Sequence, residues 1–225
     1  MGGRGSYSSR RRLIGGAGGI LILGEGGESS PKMNLAGMNR KIAEGVNPQK
    51  TLDYLEKTYK AGMTKEQLQV LDEDGWTVLA KQGTRHSVGF TREEAEFMRG
   101  KVVTHNHPNG YGGTLSDADV FNALKYGQKE IRASAAEGVY SLKRTSRSNP
   151  RGFANALMSS QGKLNARMLN TIRRFDNGKN SDMVVRKLWV DVLHRWYARN
   201  APKYGYEYKF TPNAGYNIRK AKEVK

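Results

Sequence analysis

The stretch KVVTHNHPNGYGGTLSDADV, residues 101–120, contains the most informative pattern in this chain of 225 residues. Its β-branched beginning predicts a buried strand, which Pro108 ends because proline cannot donate a ladder hydrogen bond. Side chains alternate along a strand, so His105 and His107 lie on one face while Asn106 faces away. Two imidazoles on one face can bind one zinc ion, and the strand therefore predicts a metal site.

The second half of this stretch predicts a third ligand. After a glycine-rich loop, Ser116 and Asp119 have the spacing of a capping box that opens a helix reaching about Tyr126. A carboxylate in the first turn of that helix can swing back towards the histidines. Three protein ligands leave a fourth zinc position open for water, which is the catalytic arrangement. The same serine and aspartate also suffice as a helix cap without any metal, and this structural alternative stays open.

The pattern His-x-His-Pro, a short loop and Ser-x-x-Asp resembles the signature of the JAMM metalloproteases (the MPN+ or JAB family) and of the related RadC-like proteins. The resemblance covers roughly residues 50–145. It implies that His105, His107 and Asp119 bind one Zn²⁺ ion per chain. It further implies that Ser116 supports the oxyanion of the reaction.

Two features depart from the family pattern. Eight residues separate His107 from Ser116, one more than the family usually has. Loop-closure entropy grows slowly with length, so the insertion is tolerated, but it makes Asp117 an alternative ligand. The family also has a catalytic glutamate upstream on an adjoining strand. We assign that role to Glu66, with Glu73 as the alternative.

The resemblance implies a zinc-dependent metallopeptidase, a hydrolase acting on amide bonds. In that mechanism Glu66 is the general base, and Ser116 shares the negative charge of the tetrahedral intermediate with the zinc ion. The bond hydrolysed is a peptide or an isopeptide bond. The implied substrate is a protein or peptide, such as a ubiquitin-like protein or a phage structural protein.

The segments on both sides indicate an α/β (α+β) fold with a mixed β-sheet flanked by helices, which JAMM proteins have as a JAB/MPN, cytidine-deaminase-like sandwich. We predict a flexible basic Gly/Ser-rich leader at 1–48, a JAMM-like core at 49–145, and a basic helical appendage with a tail at 146–225. A Ser/Pro/Arg linker at 146–151 joins the last two. Helices are predicted at 48–61, 91–100, 116–126, 166–175 and 182–200, and strands at 68–72, 76–81, 87–90, 101–104, 130–134, 139–143 and 204–208.

Basic charge is concentrated at the C-terminal end. The chain has a formal net charge of +17, and residues 141–225 hold 19 basic and 5 acidic side chains. Such a segment is attracted to nucleic acid or another polyanion, with contacts to phosphates and no reading of bases. A solvated basic face without a partner is the alternative. The candidate contact residues in the predicted helices are Arg173, Arg174, Arg186, Lys187 and Arg195.

The composition excludes several classes of site. The chain has no cysteine, which excludes a disulfide scaffold, a thiol nucleophile and a cysteine-ligated metal. No apolar run of about 18 residues or more occurs, so no transmembrane helix is predicted. The glycines that interrupt the apolar residues after Arg12 argue against a signal peptide.

Two other functions stay open. The glycine-rich start and the YGYEY stretch at 204–208 resemble JAB-like proteins encoded in phage and prophage genomes, so the expected setting is a bacterial cytoplasm or a phage particle. The first alternative is a phage- or virion-associated structural or nucleic-acid-binding protein that has a JAMM-like fold with no or residual catalysis. A metal-dependent nuclease ranks last, because the sequence lacks an acidic cluster for a two-metal phosphoryl site.

Overall fold

The computed structural model describes residues 20–22, 47–58, 64–108, 113–175 and 182–213. The predicted leader lies outside these residues except at its strand segment and its last two positions. In chain order the elements are β1 (Ile20–Ile22), α1 (Pro48–Thr58), β2 (Gln67–Leu71), β3 (Thr77–Gln82), β4 (Val88–Phe90), α2 (Arg92–Phe97), β5 (Val102–Asn106), α3 (Asp117–Tyr126), β6 (Glu130–Ser134), β7 (Gly138–Arg144), α4 (Pro150–Phe175), α5 (Asp182–Asn200), a 3₁₀ helix (Ala201–Tyr204) and β8 (Tyr206–Pro212).

Six strands form one mixed sheet in the order β3-β2-β5-β6-β7-β8. Neighbouring strands are antiparallel except β5 and β6, which run parallel and are connected through helix α3, as a parallel pair requires a crossover. Strands β1 and β4 form a separate parallel pair. The predicted α/β class with a mixed sheet and helices is therefore confirmed. The sheet places β5, which carries both histidines, in its interior.

Alternation along β5 divides the two faces of the sheet. Val103 belongs to the main core, which the sheet shares with helices α2 to α5. Its neighbour Val102 packs instead against a small cluster that includes Leu55 of α1. Thr104 also faces α1, where its hydroxyl donates to Glu56 at 3.3 Å. Even-numbered residues of β5 therefore face α1, and odd-numbered ones face the other helices.

A network of charged side chains holds helix α1 against the sheet. The guanidinium of Arg132 on β6 donates to both carboxylate oxygens of Glu56, to Oε2 at 2.9 Å, and to Glu130 at 2.6 Å. Glu56 is only 5% exposed, so its negative charge depends on this partner. Charge-assisted bidentate bonds of this kind offset the cost of removing the charges from water. The network holds α1 against the face of the sheet that lies opposite the histidines.

The C-terminal helices and the last strand belong to the main core. Strand β8 pairs with β7 along its whole length, but it begins at Tyr206, because Tyr204 of the predicted strand 204–208 belongs to the 3₁₀ helix. Phe153 on α4 and Tyr197 on α5 are fully buried in the same cluster as Val103. In the described residues, the segment predicted as a separate appendage therefore shares its core with the preceding strands. No break in the core falls at residue 145.

The predicted linker at 146–151 is an ordered turn followed by the start of α4. The side chain of Asn149 accepts a hydrogen bond from Gly152 N at 2.9 Å. Pro150 occupies the first helical position, where its missing N–H costs nothing. Helix α4 begins at Pro150 and continues to Phe175, so it starts well before the predicted residue 166. No helix among the described residues is both long and apolar enough to cross a membrane.

Candidate metal centre

The three side chains that the sequence predicts as ligands come together at the end of β5 and the start of α3. His105 and His107 are 2% and 3% exposed, and Asp119 is fully buried. One ligand atom from each lies within 4.8 Å of the others, which is compatible with a single bound ion. Strand alternation orients the two histidines, and the capping box at Ser116 orients the aspartate.

The distances within the group match the spacing of zinc ligands. His105 Nε2 lies 3.1 Å from His107 Nε2 and 3.5 Å from Asp119 Oδ2. Two ligands that each lie 2.0–2.1 Å from a tetrahedral zinc ion are about 3.3 Å apart. The two distances from His105 Nε2 thus lie close to the separation that one ion requires, and all three donor atoms lie within 4.8 Å of one another. Two imidazoles and a carboxylate are also a donor set that zinc accepts.

Hydrogen bonding determines which nitrogen of His107 is available. Its Nδ1 lies 3.0 Å from the carbonyl oxygen of Gly113, which can only accept. Nδ1 therefore carries the proton, and Nε2 offers its lone pair to the centre of the group. His105 Nε2 faces that lone pair at 3.1 Å, and whether it carries a proton depends on the tautomer of His105. A metal ion held here would use the Nε2 lone pairs of both histidines, with the proton of each neutral imidazole on Nδ1.

The ionisation states also suit a metal. Burial opposes ionisation of Asp119, but the neighbouring His105 and the hydrogen bonds from His105 and Ser116 outweigh burial and lower its pKa to about 2. Burial, followed by repulsion from His105, lowers the pKa of His107 to about 4. At neutral pH Asp119 is thus a carboxylate and His107 a neutral imidazole. Both are in the form that binds a cation.

Ser116 has a clear positioning role. The Oδ2 atom of Asp119 accepts hydrogen bonds from Ser116 N and Ser116 Oγ, both at 2.8 Å, and Asp119 N donates back to Ser116 Oγ at 3.1 Å. The predicted capping box is confirmed. The single hydroxyl proton of Ser116 is donated to Asp119. Ser116 can therefore donate to a substrate oxyanion only if it gives up this hydrogen bond. The oxyanion role of Ser116 stays a prediction.

Asp117, the alternative ligand, has a different environment. Its Oδ2 accepts a hydrogen bond from Gln161 Nε2 on α4 at 3.0 Å, and its Oδ1 accepts one from Ala118 N. Burial raises its pKa. The cluster of possible ligands found among the described residues contains Asp119 and not Asp117. The helix start therefore presents Asp119 to the histidines and Asp117 to α4.

The register of β2 against β5 determines which glutamate lies near the histidines. Leu68 pairs with His105 in antiparallel register, so the next position on the same face brings Glu66 opposite His107. Glu66 is fully buried at this end of the sheet. Glu73 is exposed in the turn beyond the other end of β2, about 20 Å from Glu66 along the strand direction. Of the two candidate bases, Glu66 is the one at the histidine end of the sheet.

Asn106 is a site residue to which the sequence assigned no role. Its Oδ1 accepts a hydrogen bond from Gln67 N at 2.7 Å, and its Nδ2 donates to the carbonyl oxygen of Lys65 at 3.2 Å. These two backbone groups lie on either side of Glu66, so Asn106 holds the chain at the position of the candidate base. The signal in the sequence that could have found it was an asparagine between two histidines on a predicted buried strand.

The candidate polyanion contacts are mostly outside the described side chains. The backbone of α4 carries Arg173 and Arg174, and that of α5 carries Arg186 and Lys187. The positions of these four side chains lie outside the described part of the structure. Arg195 is described and exposed, and its Nε donates to the carbonyl oxygen of Asp191 at 3.1 Å. A polyanion partner therefore stays a prediction for these residues.

No family model, curated protein or solved structure matches this chain. The resemblance to the JAMM family thus stays a prediction that rests on the motif in residues 105–119. The site itself is defined by its geometry: three buried ligands, a buried glutamate on the same face, and an asparagine that holds the glutamate strand.

Proposed function

We propose that this chain is a zinc-dependent hydrolase of JAMM type, which cleaves a peptide or isopeptide bond in a protein substrate. The observation that carries the proposal is the convergence of His105, His107 and Asp119, with Glu66 opposite His107 on the same sheet face. A metal ligand set and a carboxylate beside it are the two components that metal-assisted amide hydrolysis needs.

The residues present fit a catalytic zinc ion. The three possible ligands among the described residues would leave one coordination position for water or substrate, as in a catalytic zinc site. When bound, zinc supplies Lewis acidity, which acidifies water and polarises a carbonyl group. The Nδ1 hydrogen bond of His107 and the paired hydrogen bonds on Asp119 keep both ligands oriented.

The remaining chemistry belongs to side chains of this chain. Glu66 accepts a proton from the attacking water and returns it to the leaving nitrogen as general base and then general acid. Asn106 keeps the strand that carries Glu66 in register with the histidines. Ser116 orients Asp119 and, by exchanging its hydrogen bond, donates to the developing oxyanion.

The fold is compatible with the finer part of the proposal. The resemblance implies a mixed sheet flanked by helices, and here strand β5 of such a sheet leads into His107 while helix α3 carries Asp119. We also propose the JAMM-like core for residues 49–145, with the packed C-terminal helices as an addition to it.

The decisive experiment measures metal content and hydrolysis in the same preparations. The full chain is purified, loaded with zinc and examined by elemental mass spectrometry. It is then incubated with fluorescein-labelled casein and with an isopeptide-linked ubiquitin dimer. Asp119→Asn is compared with its matched control Asp117→Asn, and Glu66→Gln with its matched control Glu73→Gln.

We expect about one zinc ion per chain, since one set of three possible ligands is found among the described residues. Asp119→Asn loses the zinc, whereas Asp117→Asn retains it. Glu66→Gln retains the zinc but loses hydrolysis, and Glu73→Gln is active. Zinc in the wild type with no cleavage of either substrate would favour the alternative of a JAMM-like fold without catalysis. A wild type that binds no zinc would overturn the proposal.

A further inference from the structure

A second feature that can bind a ligand is a cleft between α4 and α5, with a volume of about 100 Å³. Two buried apolar side chains, Leu164 and Val192, contribute to its lining, together with the half-buried ring of Trp196. Three arginines also line it, and all three are exposed. These arginines, which we call the cleft arginines, are Arg167, Arg195 and Arg199.

The cleft has a strong excess of positive charge. Its described lining holds three arginines and no acidic side chain, and the helices α4 and α5 that form it contain two acids in sequence, Asp182 and Asp191. One of the acids, Asp191, lies beside Arg195, but the closest oxygen and nitrogen are 3.8 Å apart and both side chains are more than half exposed. An exposed pair of this kind contributes little and does not cancel the field of the three arginines. An anionic ligand is therefore favoured here.

Trp196 gives the cleft a rigid aromatic surface. Its ring stacks on Phe153 with centroids 5.7 Å apart and planes inclined by 3°, and it meets Tyr197 edge-on at 5.6 Å. Phe153 and Tyr197 are themselves fully buried, so the tryptophan ring is held in place by the core. An aromatic ring held in this way beside exposed guanidinium groups is the combination on which proteins stack unpaired bases.

We propose that this cleft binds single-stranded nucleic acid. An unpaired base packs against Trp196, and the flanking phosphates contact the cleft arginines. Duplex nucleic acid keeps its bases inside the stack and could use the arginines alone. An acidic protein segment could likewise pair with the arginines but has no base to place against the ring. The joint presence of the ring and the arginines therefore favours the single strand.

The test uses the full chain and a fluorescein-labelled oligothymidylate of about 12 nucleotides, which spans one site of ordinary size. Fluorescence anisotropy gives the affinity at several KCl concentrations between about 50 and 200 mM, where phosphate contacts dominate the salt dependence. The cleft variant is Arg167→Gln/Arg199→Gln. Its matched control is Arg147→Gln/Arg151→Gln, which removes the same charge from two exposed arginines that do not line the cleft.

We expect the cleft variant to bind at least about tenfold more weakly than wild type and the control to bind within about threefold. The slope of log affinity against log salt should fall by about 1.4 in the cleft variant, since each phosphate contact to a single strand contributes about 0.7. Trp196→Leu should weaken binding about tenfold, because a stacked base is lost. If this variant proves unstable by thermal unfolding, the comparison of the cleft variant with its matched arginine control still tests the proposal.

Other results would overturn the proposal. Equal losses in the two double variants would mean that binding depends on general charge and not on the cleft. A duplex of the same length that binds as tightly, or a glutamate polymer that displaces the oligothymidylate at equal charge, would exclude a base-binding cleft. Glu96→Gln is expected to bind like wild type, because this exposed residue does not line the cleft. Lost binding in that variant would count against the cleft and leave the proposed hydrolase untouched.

Discussion

The replacement Asn106→Leu tests whether the strand that carries Glu66 depends on one buried side chain. Leucine has a similar size but can neither donate nor accept a hydrogen bond. It leaves the buried N–H of Gln67, now bonded at 2.7 Å, without its acceptor, and the carbonyl of Lys65 without its donor. A buried donor left unsatisfied costs about 1–3 kcal/mol, and the partly exposed carbonyl of Lys65 adds about 0.5–1 kcal/mol.

The free energy of unfolding should therefore fall by about 2–4 kcal/mol, as measured by urea denaturation at neutral pH. Hydrogen exchange of the Gln67 amide should become faster than exchange at β7, which Asn106 does not contact. The control is Asn165→Leu on α4, a half-buried position where a change within about 0.5 kcal/mol is expected. A loss for Asn106→Leu no larger than for this control would refute the positioning role.

The variant Asn106→Asp adds a pH-dependent readout. Its carboxylate can still accept from Gln67 N, but a carboxylate oxygen replaces the donor that faces the carbonyl of Lys65. The protonated form restores a donor, so the folded-state pKa of this carboxyl is raised. The destabilisation should therefore shrink as the pH falls towards the unfolded value of about 3.9 and grow above it. Zinc content should stay near wild type in both variants while kcat falls, because a small misplacement of the base impairs proton transfer.

Three further predictions concern other parts of the fold. Glu56→Gln removes the bidentate carboxylate partner of Arg132, which keeps the carboxylate of Glu130, and should lower the free energy of unfolding by about 2 kcal/mol, whereas Glu96→Gln in an exposed pair should change it by less than about 1 kcal/mol; urea denaturation of both variants checks this. Zinc at about 100 times its Kd should stabilise the wild type by about 2.7 kcal/mol in thermal unfolding, and an equal effect in Asp119→Ala would contradict the ligand assignment. Burial lowers the pKa of His194, so the folded state resists its protonation, and the free energy of unfolding should fall as the pH drops below about 6.5. His194→Gln should flatten the plot of this free energy against pH in that range. Parallel plots for the variant and the wild type would show that His194 does not cause the fall.

Local sequence patterns predicted the elements that carry the ligands. Alternation along β5 requires only neighbouring residues, so the shared face of His105 and His107 could be read directly. The capping box at Ser116 and Asp119 likewise depends on a span of four residues and is confirmed by its hydrogen bonds. The start of α4 was missed because no strong periodicity marks its first turns, although Phe153 is buried there.

The relations between distant segments required the tertiary structure. Whether Glu66 or Glu73 lies near the histidines depends on the register of β2 against β5. The backbone amide of Gln67 and the side chain of Asn106, whose hydrogen bond holds this register, are 39 residues apart. The preference for Asp119 over Asp117 depends on α4, because Gln161 engages Asp117 from a helix that begins 33 residues later.

The sequence by itself determined the residue types of the metal group, their strand and helix, and the mixed α/β class. These features follow from side-chain alternation and capping, which act over a few residues. Only the tertiary structure decided which carboxylates face the histidines, that Asn106 holds the Glu66 strand, and that the basic C-terminal helices join the core. The physical reason is that strand register and helix packing minimise the free energy of the whole core, to which residues far apart in sequence contribute together.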